Sequence, residues 1–384
     1  MSTNEKRDLA PDNHLLAEIF PNTKTISTEI LSQNFVCCTF TVRQSSGKEF
    51  IVRIEPEGSQ ISTVYAIQEL AAQVIPDYVP TVHQIGTAST QDGKKLDYSV
   101  TAYVKDAVTL ESVWSDLTDD QQLHIAEQVA SAVEKLHSIN LLDEKAQQFV
   151  NVTNESPTIP LGGPLLGLFS NPSNMVRGLV KAEDGFKQVT ITETDDGGLK
   201  FECEFDNIPA VSMSKEDILS LQEDIVLCHN DLEPRNLLVR QEKKNTTDHY
   251  TLVAIIDWEM AGFFPFAFES FYKDLVLGSS NLYFSWYRLF KDQTARFIPK
   301  PLPEAQGKLL KALDMVLQAN ARPQTRNVGR FVQRKWIARE KLVRSEDILL
   351  GWIRSPEAGD VGRFTKEDNE QLELSALREL GFIN

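Results

Sequence analysis

Two stretches of this chain break in the same way. Residues 225–239, IVLCHNDLEPRNLLV, and residues 250–265, YTLVAIIDWEMAGFFP, each begin as an apolar run of strand-forming residues and turn abruptly to carboxylates and amides. A short apolar run bounded by polar residues reads as a buried strand, and polar groups at its end lie where a sheet edge meets a cleft. The chain must therefore fold around strands whose ends carry chemistry. The first block contains His229-x-Asp231-x-x-x-x-Asn236, and the second sets Asp257 directly after its apolar run.

The residue types narrow that chemistry. Phosphoryl transfer from ATP needs a carboxylate to orient the attacking hydroxyl and accept its proton, and hard oxygen ligands to hold Mg²⁺ between the phosphates. Asp231 supplies the first, and Asn236 and Asp257 supply the second. The gap between Asp231 and Asn236 is a tight excursion that lets base and ligand converge on one phosphate. His229 has no GxSxG serine or cysteine nucleophile to activate, so it reads as structural, and Cys228 reads as a small buried hydrophobe.

Other elements lie around these blocks in a definite order. Residues 34–55, NFVCCTFTVRQSSGKEFIVRIE, read as two strands joined by the turn SSGK. A helix follows, with Ser62 or Thr63 as N-cap, apolar Val64, Ile67, Leu70, Ala71 and Val74, and Pro76 beyond its end. Glu69 lies on it beside the apolar stripe. A strand, DYSVTAYV, ends near Val104. Next, Thr118-x-x-Gln121 forms a capping box ahead of a helix that aligns Ala126, Val129, Ala130, Val133 and Leu136. Residues 151–213 read as an insertion of loops with a small hairpin, and two helices are expected near 303–320 and 366–380, the latter stopped by Gly381.

Composition removes several classes. With 39 Lys and Arg against 55 Asp and Glu, the net charge of -16 opposes binding to a phosphate backbone, so nucleic acid is not expected as a partner. No apolar run approaches the roughly 20 residues of a membrane span, and the polar start MSTNEKRDLAPDNH is unlike a secretory signal, so no membrane partner and a cytoplasmic location are expected. Cys37, Cys38, Cys203 and Cys228 include an adjacent pair and no CxxC spacing, which argues against a disulfide framework or a structural zinc site. Sequons at Asn151, Asn154 and Asn245 read as chance in such a chain.

HNDLEPRN resembles the catalytic loop, and IIDWEMAGFFP the metal-binding segment, of the aminoglycoside phosphotransferase and choline kinase group, most of all its fungal phosphotransferase-domain members. The resemblance spans residues 30–290 and is strongest over 225–270. It implies an α+β, bilobal protein-kinase-like fold, with a small β-rich N-lobe over residues 1–104 and a larger, mainly helical C-lobe over residues 105–384. By position it makes Asp231 the catalytic base, Asn236 and Asp257 the magnesium ligands, and His229 a brace for the loop. It places Arg53, in FIVRIE, at the lysine that contacts the α and β phosphates, with Glu69 as its ion-pair partner. Ala102 to Val104 correspond to the hinge that meets adenine, and Ser32 to Asn34 to the loop over the phosphates. Trp258 and Glu259 stand where the family has an aromatic residue and often an acid, and Glu259 reads either as support for the metal site or as a turn carboxylate.

Two positions depart from that pattern. The loop LSQNFV has no glycine, so fewer of its N–H groups can approach a phosphate closely. Arg53 replaces an ammonium with a forked guanidinium of different length and geometry. The implied activity is ATP- and Mg²⁺-dependent transfer to a hydroxyl of a small molecule, with an inactive nucleotide-binding scaffold as the alternative. Between Arg322 and Arg344 eight basic residues face one acid, and Arg322, Arg326, Arg330 and Arg334 would form one stripe on a helix, either a solvated face or a surface for an anionic ligand. That basic stretch leans away from polycationic aminoglycosides and towards a neutral or anionic alcohol or amino alcohol. The aromatic cluster Trp258, Phe263, Phe264, Phe266, Phe268, Phe271 and Tyr272 reads first as core packing.

Overall fold

The computed structural model describes residues 9–141, 146, 161–180, 189–244, 247–320, 328–359, 361–362 and 364–383. Asn151, Asn154, Asn245, Arg322 and Arg326 lie outside them. The N-terminal part is built on β1 (Thr25–Gln33), β2 (Cys38–Gln44), β3 (Glu49–Pro56), β4 (Val82–Ser89) and β5 (Lys95–Ala102), an antiparallel sheet in the order β1-β2-β3-β5-β4. Successive strand side chains point to opposite faces, so Phe40, Val42, Val52 and Ile54 are buried under Leu15, Leu16 and Ile19 of the helix Asn13–Ile19. Arg53 is turned to the other face, between Thr39 and Ser99 of the neighbouring strands. The expected hairpin is β2–β3, registered from Cys38↔Ile54 to Arg43↔Glu49, with Gly47 at φ 82° in its turn.

The helix after β3 begins earlier than its sequence signals suggest. It spans Ile61–Ala72 with Gln60 as N-cap, and the Thr63 hydroxyl donates back to Gln60 Oε1 at 3.1 Å. Ile61, Thr63, Ala66, Ile67, Leu70 and Ala71 are buried, which leaves Glu69 exposed on the far side. The capping-box helix spans Asp119–Leu136 as expected, with Gln121 N–H donating to Thr118 Oγ1 at 3.4 Å and Thr118 N–H to Gln121 Oε1 at 3.0 Å. Such a cap stabilises a helix by about 1 kcal/mol.

Past β5 the chain runs through Tyr103–Asp106 into β6 (Ala107–Thr109), which pairs with β13 (Leu237–Lys244), itself paired with β14 (Thr247–Ile255). This short link joins the N-terminal sheet to the β13–β14 pair, which contributes one strand to each of the two chemical blocks. Residues 161–180 and 189–213 are more ordered than the expected loops. They form β7 (Leu161–Gly163), β8 (Gly167–Phe169), the helix Pro172–Val180, and an antiparallel sheet of β9 (Val189–Glu193), β10 (Leu199–Cys203) and β11 (Val211–Met213). Met175, Val176, Leu199, Phe201 and Met213 enter the main core. Strands this short show too few alternations to be legible as strands. The glycines have a local cause, because β7 lies against β15 (Gly262–Pro265) and a Cβ on Gly163 would sit 2.1 Å from the Ala261 carbonyl oxygen.

The rest is mainly helical: Phe266–Val276, Phe284–Thr294, Glu304–Asn320, Val328–Arg339 and Lys366–Glu379, the last followed by Gly381 at φ 77°. Trp258, Phe263, Phe264, Phe266, Phe268 and Phe271 are buried, with Phe264 stacked on Phe268 at 5.0 Å, so the aromatic cluster is core. Among the described residues no helix is long and apolar enough to cross a membrane.

Three described bases of the basic stretch are paired with acids of the protein itself. Arg344 pairs with Asp274 and Asp314 at 2.7 Å each, Lys335 pairs with Glu379, and Arg339 meets Glu340 and Asp368. The described helix begins only at Val328, so Arg330 and Arg334 are the described members of the expected stripe. The expectation of an anion-binding surface is therefore not supported.

Candidate active site

Both chemical blocks are strand–turn–strand units. β12 (Ile225–Cys228) pairs with β15, and β13 pairs with β14, so the turn 229–236 and the turn 256–261 are each clamped at both ends. The Asn236 carbonyl accepts the Ile256 N–H at 2.9 Å, which puts Asn236 beside the residue that precedes Asp257. Asn230 at φ 62° and Asp257 at φ 65° occupy left-handed backbone, a costly conformation that Asn and Asp tolerate best and that clusters at functional sites.

His229 is fully buried and braces both turns. Its Nδ1 accepts the Asp231 N–H at 3.3 Å, so Nε2 carries the ring proton and donates to the Ile256 carbonyl at 3.2 Å. Trp258 packs edge-on against it at 4.6 Å. Burial pushes His229 down to about 4, which keeps the ring neutral. The Asn230 N–H donates to Glu269 Oε1 at 2.8 Å, and Asn230 Nδ2 to the Met260 carbonyl at 2.9 Å. Glu233 and Lys273 form a buried pair at 2.8 Å that ties the first turn to the helix Phe266–Val276.

Asp231 points into this frame with its carboxylate occupied. Arg235 Nη2 donates to its two oxygens at 2.9 and 2.7 Å, and Asn236 Nδ2 donates to Oδ2 at 2.7 Å. The amide nitrogen of Asn236 is thus spent on Asp231, and its Oδ1 is the atom suited to a cation. Across the cleft, Arg53 Nε donates to Glu55 at 2.5 Å, Nη2 donates to Glu259 at 2.7 Å, and Nη1 lies 3.8 Å from Asp257. Burial and the neighbouring Glu259 carboxylate push Asp257 up to about 6. Burial opposes the charge on Arg53, yet Glu259, Glu55 and Asp257 hold it firmly protonated.

A family model described as the phosphotransferase enzyme family matches residues 38–272. The chain belongs to this family. No curated protein matches the phosphotransferase significantly. Among solved structures, spectinomycin phosphotransferase with ADP and spectinomycin is 12% identical over 87% of this chain and 95% of its own, at a TM-score of 0.42. A macrolide 2'-phosphotransferase from Brachybacterium faecium is 15% identical over 83% and 93%, at 0.37. Amicoumacin kinase in complex with AMP-PNP and Ca²⁺ is 10% identical over 96% and 93%, at 0.41. Membership makes the protein a phosphotransferase, and its β-rich N-terminal part followed by a mainly helical C-terminal part is the α+β arrangement expected from the sequence.

Of the residues picked out in the sequence, Asp231, Asn236, Asp257, His229, Arg53 and Glu259 converge. Glu69 does not. The helix phase set by the earlier start at Ile61 turns it to solvent, and among the described residues the ion-pair partners of Arg53 are Glu55, Glu259 and Asp257. Asn34 accepts the Val36 and Cys37 N–H groups at 2.8 Å each, so its side chain closes its own turn, and Ser32 lies exposed on β1. The Ala102 N–H is taken by the Thr81 carbonyl at 2.8 Å, and Val104 lies in the link that follows β5. Sequence reasoning missed Arg235, Glu55 and the Glu233–Lys273 pair. Two of these were within reach, since Arg235 lies inside HNDLEPRN and Glu55 shares a strand face with Arg53. A cavity of about 440 Å³ lined by Phe20, Phe50, His83 and Tyr103 opens on the opposite face of the sheet from Arg53 and takes no part in this site.

Proposed function

We propose that the phosphotransferase carries out Mg²⁺-dependent transfer of the γ-phosphoryl group of ATP to a hydroxyl of a small molecule, with Asp231 as the base that orients that hydroxyl. The observation that carries this reading is the convergence of Asp231, Asn236 and Asp257 on two clamped turns opposite Arg53. Glu55, Asp231, Asp257 and Glu259 outnumber Arg53 and Arg235 by two charges in this cleft, so the residues present fit a divalent cation. Asn236 Oδ1 and the Asp257 carboxylate would hold it. Bound there, the cation would neutralise charge on the phosphates.

The chain's own groups do the remainder. Arg235 and Asn236 hold Asp231 in one orientation, His229 fixes the two turns relative to each other, and Arg53 presents positive charge from β3. Catalysis of this kind rests on positioning and charge stabilisation more than on covalent chemistry. The charge of Arg235 is balanced by the Asp231 carboxylate it holds, so the reading commits to a hydroxyl acceptor and not to the acceptor's charge.

ADP release by Asp231→Asn protein against a panel of hydroxyl compounds, set beside ATP binding by thermal shift, tests the assignment. Loss of turnover with ATP binding retained is expected, and turnover at the parent rate would refute it. The inactive-scaffold alternative draws no support from the site, where base and metal-ligand candidates are all in place.

A further inference from the structure

We infer that Glu259 is the carboxylate that positions Arg53 for the nucleotide phosphates, the role expected from the sequence for Glu69 on the helix Ile61–Ala72; the inference rests on the role given to Arg53 above. Arg53 and Glu55 share the cleft face of β3, and Glu259 approaches from a turn 206 residues further along the chain. The two acids divide the guanidinium between them. Glu55 takes Nε at 2.5 Å and Glu259 takes Nη2 at 2.7 Å, while the contact of Nη1 to Asp257 is a longer 3.8 Å. Nη1 is therefore the arm that can turn to a phosphate oxygen.

This arrangement accounts for arginine in place of lysine. An ammonium is a point charge with rotating donors, whereas the planar fork can satisfy two carboxylates along fixed directions and keep donors for a phosphate. Glu259 is well placed to hold such a fork, because its own turn is anchored. Its carbonyl accepts the Leu165 N–H at 3.1 Å, and the adjacent Trp258 is buried and donates Nε1–H to the Ile255 carbonyl at 3.1 Å. Side chains about one-third exposed, 32% for Arg53 and 34% for Glu259, make this pair a weak source of stability, so its consequence is orientation. Glu69 has no comparable position, being exposed on the far side of its helix.

Steady-state ADP release at saturating Mg²⁺ separates the possibilities. Glu259→Gln is expected to raise KM for ATP about tenfold, the loss of one charge-assisted hydrogen bond, with a smaller change in kcat. Glu259→Asp should recover part of that loss, and Glu69→Gln should leave KM at the parent value. In an Arg53→Met background, Glu259→Gln should add nothing, because a residue acting through Arg53 gives non-additive effects. Parent-like KM in Glu259→Gln, multiplying effects in the double variant, or a shift confined to the Mg²⁺ dependence would each overturn the inference. Failure of the underlying role of Arg53 is read separately, as a parent-like KM for ATP in Arg53→Met alone.

Discussion

Asp274 and Arg53 are both centres of charge clusters, and the two clusters differ in one respect. Asp274 is fully buried and accepts from Tyr287 at 2.6 Å, Lys291 at 2.8 Å and Arg344 at 2.7 Å, while Arg344 turns its other arm to Asp314. Two bases meet two acids there, and the strand Leu342–Arg344 is pinned to the helices Phe266–Val276, Phe284–Thr294 and Glu304–Asn320. In the cleft, two bases meet four acids, and about a third of Arg53 stays open to solvent. A balanced, buried cluster serves the scaffold, since any missing partner would leave a charge uncompensated in a low-dielectric interior. An unbalanced, accessible one is poised for a ligand that completes it.

Substitutions can break that contrast, and the largest effect is expected in the cleft. Asp231→Asn should lower ADP release by about 10²- to 10⁴-fold while the melting temperature stays near the parent value. A matching collapse of the melting temperature would place Asp231 with the scaffold. The converse case is Lys291→Met, which deprives the buried Asp274 of a partner and should cost about 3–5 kcal/mol by denaturant unfolding with KM for ATP unchanged. A KM change at parent stability would erase the distinction between the clusters.

Acid should act on the scaffold next. His229 and His137 both bind their protons less tightly when folded, since burial pushes each from 6.5 down to about 4. The unfolded chain then binds more protons than the folded one between these values, so stability is lost as pH falls through this window and is complete above about 6.5. For His229 the shift corresponds to about 3 kcal/mol. Denaturant unfolding at pH 7 and pH 4.5 should show the drop, smaller in a His229→Gln variant.

Asp257 has the opposite sign. Its pKa is raised from 3.8 to about 6, so its ionisation costs stability as pH rises through 6. In EDTA, Asp257→Asn should melt above the parent at pH 7.5 and level with it near pH 4, and any Mg²⁺-induced rise in melting temperature should vanish. The smallest effect is expected at the surface pair of Lys335 and Glu379, where Lys335→Ala should change stability by less than about 1 kcal/mol and leave ADP release untouched.

The elements legible from sequence were those whose signals are local. The capping box at Thr118, the hairpin around Gly47, the two apolar runs ending in His229–Asn236 and Asp257, and the Gly381 stop all depend on residues within a few positions of one another. The failures share a different origin. Glu69 and Glu259 are both acids near chemically suggestive positions, and only helix phase and the path of the turn 256–261 decide which one meets Arg53. The acids that pair with Lys335, Arg339 and Arg344 are remote in sequence, Asp274 and Asp314 on two helices and Asp368 and Glu379 on a third.

Residue types and short spacings by themselves determined that this chain would present two acids and an amide at the ends of buried strands, because strand propensity, turn chemistry and ligand hardness act over a few residues. Tertiary structure alone decided which charges are cancelled and which are left over. Electrostatic pairing depends on distance in space and on burial, and neither can be read from separation along the chain.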